Sequence, residues 1–476
     1  MADIWSDKEK KMMQYEIGVY GLGVMGAGIA RNMLDHGVRT AVYSVSEEER
    51  KRFETDGYEE TCKVCDTEAE LIQSLARPRK IFLMITAGSP VDAVLSSLVP
   101  SLEPGDVIFD GGNSYYKDTD RRCHALEEKG IRYVGCGISG GRLGALYGPS
   151  IMPGGSYEGY RAGEKILRAI AATADGKPCC AYVGQGGSGH YVKMVHNGIE
   201  YAILELIAEA YMLMRSGLSM THEAVLAVFK GWQRTRLDSY LIDISVQVME
   251  QYEEDGVPLI DRILDVAEQK GTGKWTLCEA IERGVYTPGI YESVLARSFS
   301  AKKEERLAGA AILNASASKM ELDQAEETLG DALLLSIALS YSQGMELIRK
   351  ASDDNGWEID LAALADLWKA GCIIRSSLLG DIKEAAKETA APLILSEAFE
   401  SLRKLEPSLR DVVVKAEAAG MAPTGFAAAL HYYDYYRRKD MPVRFVQALR
   451  DCFGAHTYMR KDQEGHFHTE WQTIGK

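Results

Sequence analysis

At 476 residues the chain exceeds what one compact domain usually holds, so two or three units are expected. A hydrophobic share of 46% beside 26% charged residues supports a large buried core and excludes wholesale disorder. The formal charge of −15 argues against nucleic acid and membrane surfaces as partners, although a local cluster of basic groups suffices to hold an anionic substrate.

In chain order, Met1 to Gln14 is polar and mixed in charge, without the apolar stretch of a signal peptide, and no later run has the length of a membrane helix. A cytoplasmic location is expected. The nine scattered cysteines fit reduced thiols better than a disulfide framework, and Cys62-x-x-Cys65 lacks the second pair that a zinc motif requires. Short apolar runs then alternate with helical patterns, the signature of a parallel sheet wrapped by helices. Predicted strands are Glu16 to Tyr20, Thr40 to Tyr43, Ile81 to Ile85, Val107 to Asp110, Ile131 to Cys136 and Ala181 to Val183.

The first strand runs directly into Gly21-Leu22-Gly23-Val24-Met25-Gly26, and a helical pattern over Ala27 to Leu34 follows. In that context a G-x-G-x-x-G predicts a dinucleotide site. Its first glycine permits the tight turn, the second lets the backbone approach the pyrophosphate, and the third allows close helix packing. The helix N-terminus adds unpaired N–H groups for the phosphates. At the end of the second strand Tyr43-Ser44-Val45-Ser46 has no acidic residue to hold two ribose hydroxyls, which speaks against strict NAD use. The hydroxyls of Ser44 and Ser46, with Arg50 and Lys51, form a candidate receptor for a 2′-phosphate, so NADP is the expected cofactor, with NAD possible.

After Gly189 the β-rich runs fade and helical spacing continues almost to the end. Ile203 to Arg215 resembles Ile337 to Arg349, and Val228-Phe229-Lys230-Gly231 echoes Leu367-Trp368-Lys369-Ala370, an offset of roughly 130 to 140 residues that suggests a duplicated helical bundle. From Met441 on, Arg, His and aromatic residues with weak periodicity read as a tail. The expected domains are therefore 1–189, binding the dinucleotide; 190–440, all-helical; and a C-terminal tail, 441–476.

The most informative stretch is Gly189 to Tyr201. Lys193, His196, Asn197, Glu200 and Tyr201 stand at i, i+3, i+4, i+7 and i+8, so one helical face carries five polar groups in register. Val192, Val195, Ile199, Ile203 and Leu204 are apolar enough to set the helix against the core, which predicts that the polar stripe lines a cleft. There, a lysine whose charge is disfavoured by desolvation can take a hydroxyl proton as hydride leaves the carbon, and a nearby carboxylic acid can return a proton to carbon. Histidine and asparagine can orient the substrate.

Several strings in order make the resemblance specific. They are Gly21 to Gly26, Asp110-Gly111-Gly112-Asn113-Ser114, Ser139-Gly140-Gly141, Tyr147 to Gly155, Gly189 to Tyr201, Gln269 to Thr276, Arg450 to Tyr458 and Phe467 to Trp471. Over essentially its full length the chain resembles the 6-phosphogluconate dehydrogenases. The resemblance implies an α/β Rossmann-type doubly wound sheet, a large all-α domain and a tail that reaches a second subunit of a homodimer. It implies 6-phosphogluconate as substrate, no metal, and oxidative decarboxylation to ribulose 5-phosphate. Lys193 is then the base and later the acid, and Glu200 protonates the enediol. Asn113, Ser139, Gly140, Gly141, His196 and Asn197 hold the carboxylate and hydroxyls. Tyr201, Lys270, Thr272, Arg297 and Arg450 hold the phosphate, with His456 close by. The dinucleotide lies on Gly21, Leu22, Gly23, Val24, Met25, Gly26, Ser44, Val45, Ser46, Ile85, Thr86, Ala87 and Asn113.

Three places depart from the family pattern: Thr86 stands for a common lysine, Arg142-Leu143 for an acidic pair, and Ser44-Val45-Ser46 for Asn-Arg-Thr. Two other readings are a β-hydroxyacid dehydrogenase acting on an unphosphorylated acid, and a nucleotide-binding regulator without catalysis. The first should lack Lys270 to Lys274 and the tail with Arg450, and the second should have lost Lys193 or Glu200; all are present.

Overall fold

The structure is a computed structural model that describes residues 14–53, 57–268, 271–313, 318–388 and 392–471. The chain divides into two compact units between Leu430 and His431. In the first unit, strands β1 (Ile17–Tyr20), β2 (Thr40–Tyr43), β3 (Cys62–Val64), β4 (Lys80–Leu83), β5 (Val107–Asp110), β6 (Arg132–Ser139) and β7 (Ser150–Gly155) form one sheet in the order β3-β2-β1-β4-β5-β6-β7. All neighbours are parallel except β6 and β7.

Side chains that alternate along each strand feed two cores. Ile17, Val19, Phe82, Phe109 and Val134 pack on one face with Ile29 and Met33 of helix Val24–Asp35 and Leu167 of helix Tyr157–Ile170. Tyr20, Ile81, Leu83, Ile108 and Tyr133 pack on the other with Leu71, Val91, Leu95 and Leu126 from three further helices. Burial on both faces explains why these strands read as continuous apolar runs, each large side chain contributing about 1.5–3 kcal/mol.

The predicted strand Ala181 to Val183 is not one. The segment runs beside β7 with isolated bridges only, Ile151 to Cys180 and Gly154 to Gly184. Pro153, in the middle of β7, has no N–H to continue the ladder. β3 and β7 were not foreseen, the first because it is a three-residue edge strand and the second because Ser-Ile-Met-Pro-Gly-Gly reads as a turn.

The change from sheet to helix falls at Ser188, where a helix of 25 residues, Ser188–Met212, begins. It packs along a helix of 31 residues, Ala325–Asn355, so closely that a Cβ on Gly344 would stand 2.4 Å from Ile199. Within the helical part Ser239 and Ser376 pair antiparallel, and around that bridge Arg236 binds Asp381 and Arg375 binds Asp243, both at 2.8 Å.

Gly189 docks the central helix on the sheet. A Cβ there would lie 2.2 Å from Gly135 O and 2.5 Å from Met152 O, both backbone atoms that cannot swing aside. Gly189→Ala is expected to cost about 3 kcal/mol, read as a lowered thermal unfolding midpoint; an unchanged midpoint would mean that the helix is not seated through this contact.

The second unit is more ordered than a tail. It holds the helix Val443–Gly454 and a hairpin of Tyr458–Met459 with His466–Phe467. Its organiser is Asp451, fully buried, which accepts bonds from Thr457 N, His468 Nδ1, Thr469 N and Trp471 Nε1 at 2.8 to 3.1 Å. One carboxylate satisfying four donors ties the hairpin to the helix.

Candidate active site

The glycine loop has the geometry its motif predicts. Gly21 has φ of 101°, and a Cβ there would stand 2.4 Å from Met84 O. Beside it opens a cleft of about 760 Å³, lined by Gly23, Val24, Met25 and Gly26, by Ile85, Thr86 and Ala87 after β4, and by Asn113 after β5. Tyr115 and Trp275, their rings 4.8 Å apart, also line it. Gly21 and Leu22 lie buried beneath the loop.

Asn113 owes its position to a buried network. Asp110 accepts bonds from Gly112 N at 3.0 Å, Ser114 Oγ at 2.6 Å and Tyr133 Oη at 2.8 Å, which pins the turn after β5. His190, in the first turn of the central helix, reaches Asp110 O at 3.1 Å and Thr119 Oγ1 at 2.7 Å. Cofactor cleft and central helix are thereby tied to the same strand end.

The polar stripe faces inward. Lys193 is 7% exposed, and its stem lies so close to β6 that a Cβ on Gly137 would meet Lys193 Cβ at 2.6 Å. Lys193 Nζ stands 3.4 Å from His196 Nδ1, and Glu200 Oε2 stands 3.9 Å from the same nitrogen. Amine and carboxyl thus converge on one ring edge. Burial holds the Lys193 pKa below the ordinary lysine value, against the opposing charges of Glu200 and Cys372. Burial also raises the Glu200 pKa, against the pull of Lys193 and Arg297. His196 is held well below its usual value, first by burial and then by Lys193, so the ring is neutral. Its Nδ1 faces Asn197 Oδ1 at 3.1 Å, which places the proton on Nδ1 and leaves Nε2 to accept from Ser139 Oγ at 3.0 Å.

A second cluster adjoins the first. Asn197 Nδ2 donates to Thr272 Oγ1 at 3.3 Å, and Thr272 opens the helix Thr272–Arg283 behind Gly271, whose φ is 96°. The Arg297 guanidinium lies 3.5 Å over the Tyr201 ring, and the same ring packs on Gly273. Hydroxyl, phenol, guanidinium and a helix N-terminus together suit a dianion. Gly140 and Gly141, with φ of 129° and 59°, turn the chain between Ser139 and the helix Gly141–Tyr147.

Lys270 lies outside the described residues. Arg450 and His456 belong to the second unit and are exposed there, Arg450 bonding Gln447 Oε1 at 3.1 Å. Ser44 is buried, Val45 exposed and Ser46 half-buried; the Ser46 hydroxyl caps the helix Glu47–Arg52 by accepting from Glu49 N. Cys372 was not foreseen: its Sγ stands 3.0 Å from His196 Nε2, and burial pushes the thiol up to about 11. No local pattern points to a contact across 176 residues. Cys62 and Cys65 are both buried free thiols, each pushed up to about 11 by burial, and thus poor nucleophiles. Among the described residues no helix is long and apolar enough to cross a membrane.

Comparison with known proteins gives two family matches that share one family: the NAD binding domain of 6-phosphogluconate dehydrogenase over residues 16–184, and the 6-phosphogluconate dehydrogenase C-terminal domain over residues 189–471. The chain is 44% identical over 465 residues to a decarboxylating 6-phosphogluconate dehydrogenase of Staphylococcus aureus, covering 96% of this chain and 99% of the relative. The same figures hold for the enzyme of Staphylococcus epidermidis. The fold matches a Plasmodium falciparum 6-phosphogluconate dehydrogenase solved in its apo form, with NADP+ and with 6-phosphogluconate. There the TM-score is 0.92 at 37% identity, over 96% of this chain and 100% of that one.

Proposed function

Because the chain belongs to the 6-phosphogluconate dehydrogenase family, we infer that it oxidises 6-phosphogluconate and releases carbon dioxide to leave ribulose 5-phosphate. NADP, when bound in the cleft beside the glycine loop, accepts the hydride. The observation that carries the assignment of roles is the convergence of Lys193 and Glu200 on His196, with burial moving their affinities for protons toward each other.

Neutral Lys193 takes the proton of the hydroxyl on the carbon beta to the carboxylate as hydride departs. The ammonium so formed polarises the new carbonyl, which draws in the electron pair released when the bond to the carboxylate breaks. Lys193 then returns its proton to that oxygen to give the enediol, and as Glu200, whose proton affinity burial raises, protonates carbon, Lys193 takes the enol proton back and the ketone product forms. Ser139, His196 and Asn197 orient the hydroxyls and carboxylate, Asn113 joins them from the cofactor side, and the Gly140-Gly141 turn brings backbone close to the substrate.

Tyr201, Thr272 and Arg297 hold the phosphate, together with Lys270. Arg450 and His456 are assigned to the same subsite from a second copy, in a homodimer. In support, Val443, Phe445, Val446, Leu449 and Phe453 are exposed along the helix Val443–Gly454, an apolar set that a second copy would cover. Residues 1–189 are assigned to dinucleotide binding, 190–440 to substrate and dimerisation, and 441–476 to the reach into the partner. Nine free cysteines suit a reducing cytoplasm.

Initial rates with 6-phosphogluconate and with gluconate test the reading. The phosphorylated acid is expected to be strongly preferred, and Arg297→Ala or Arg450→Ala to raise its KM roughly 10- to 100-fold, as loss of a charged hydrogen bond does, with little change for the cofactor. Equal use of gluconate would refute the phosphate subsite and favour a dehydrogenase of unphosphorylated acids.

A further inference from the structure

Beside the glycine loop stands a carboxylate, Glu49, that the strand pattern does not point to. In dinucleotide folds of this type an acidic residue at the end of the second strand accepts the ribose 2′-hydroxyl, whereas a 2′-phosphate is met by arginine. Here Ser44 occupies the strand end, 2% exposed, and its Oγ donates to Glu49 Oε2 at 2.6 Å. Glu49 stands in the first turn of the helix Glu47–Arg52, and its own N–H is fixed by Ser46 Oγ at 3.2 Å. Its other oxygen, Oε1, lies 3.8 Å from where a Cβ on Gly23 would be, and Gly23 is the glycine over which the pyrophosphate must pass. A serine at the strand end and a glutamate five residues later thus return an acid to the ribose position.

The nearby cations are turned to other duties. Arg50 Nη1 donates to Ser44 O at 2.6 Å, with the guanidinium 5.7 Å from the Tyr43 ring, and Lys51 pairs with Glu47 at 2.5 Å. Val45, 74% exposed, offers no charge. Both serine hydroxyls expected to receive a 2′-phosphate are engaged with Glu49, one at its side chain and one at its backbone.

We propose that Glu49 sets the dinucleotide preference: its carboxylate accepts the adenosine 2′-hydroxyl of NAD and opposes the 2′-phosphate of NADP, so that NAD is used alongside NADP. This rests on the reading of the cleft as a dinucleotide site. A 2′-phosphate brings between one and two further negative charges to a carboxylate already held in place by Ser44, whereas a hydroxyl brings a donor.

The test compares wild type, Glu49→Gln and Arg50→Gln in kcat/KM for both dinucleotides at saturating 6-phosphogluconate. In parallel, calorimetry follows binding of adenosine 2′,5′-bisphosphate and of ADP without the sugar acid. Glu49→Gln is expected to raise the NADP-to-NAD ratio about tenfold, equivalent to about 1.4 kcal/mol, and to tighten the bisphosphate relative to ADP. An unchanged ratio, or parallel losses with both dinucleotides, overturns the proposal. So does a loss of NADP use in Arg50→Gln alone, which would make Arg50 the discriminating group. Binding of neither fragment to wild type would instead remove the dinucleotide reading itself, whereas binding without turnover would count against the sugar acid and leave the fragment comparison to decide Glu49.

Discussion

Lys193→Ala is expected to lower kcat by about 10⁴-fold, with binding of NADP nearly unchanged. The loss is large because the proposed role gives one amine several tasks: it takes the hydroxyl proton, polarises the carbonyl while carbon dioxide leaves, and exchanges the proton with the enediol oxygen. Its fitness comes from its surroundings. The stem is pressed against Gly137, the amine is buried beside His196, and the charged form is disfavoured for want of water. Cofactor binding is spared because the loop Gly23–Gly26 and the β4 end form the cleft without it. Steady-state rates and a fluorescence titration with NADP check both halves; turnover within tenfold of wild type, or loss of NADP binding to the same degree, would remove Lys193 from the chemistry.

Glu200→Gln is expected to lower kcat by about 10²- to 10³-fold and to change the pH profile in a defined direction. The working state needs Lys193 neutral and Glu200 protonated, so kcat/KM is bell-shaped, with limbs that belong to the pair. Burial raises the carboxyl and lowers the amine, which brings both limbs toward neutrality. When Glu200 is ionised, its charge favours the ammonium of Lys193. Glutamine removes that support, so the limb governed by Lys193 moves to lower pH while the other disappears. A profile that keeps both limbs unmoved would mean that the two groups do not share a field.

The parts of the site that were legible in the sequence are those set by local geometry. The glycine loop depends on a turn within six residues, and the register of Lys193, His196, Asn197, Glu200 and Tyr201 depends only on helical pitch. The sheet could be read because its strands are buried on both faces, whereas β3 and β7 were hidden, one by its shortness and one by Pro153 and two glycines. The tail was misleading for another reason. Its hairpin is held to the helix by Asp451 and its four donors, and a single buried carboxylate leaves no period to detect.

By itself the sequence determined which polar groups share one helical face and which glycines form the loop, since turn and helix place side chains by short-range backbone geometry. Only the tertiary structure decided whom those groups meet. His196 meets Ser139 across 57 residues and Cys372 across 176; Thr272 meets Asn197, Arg297 covers Tyr201, and Glu49 comes to rest beside Gly23. The same holds for the proton affinities of Lys193 and Glu200. Desolvation is a property of everything packed around a group, and that packing is assembled from segments far apart in the chain.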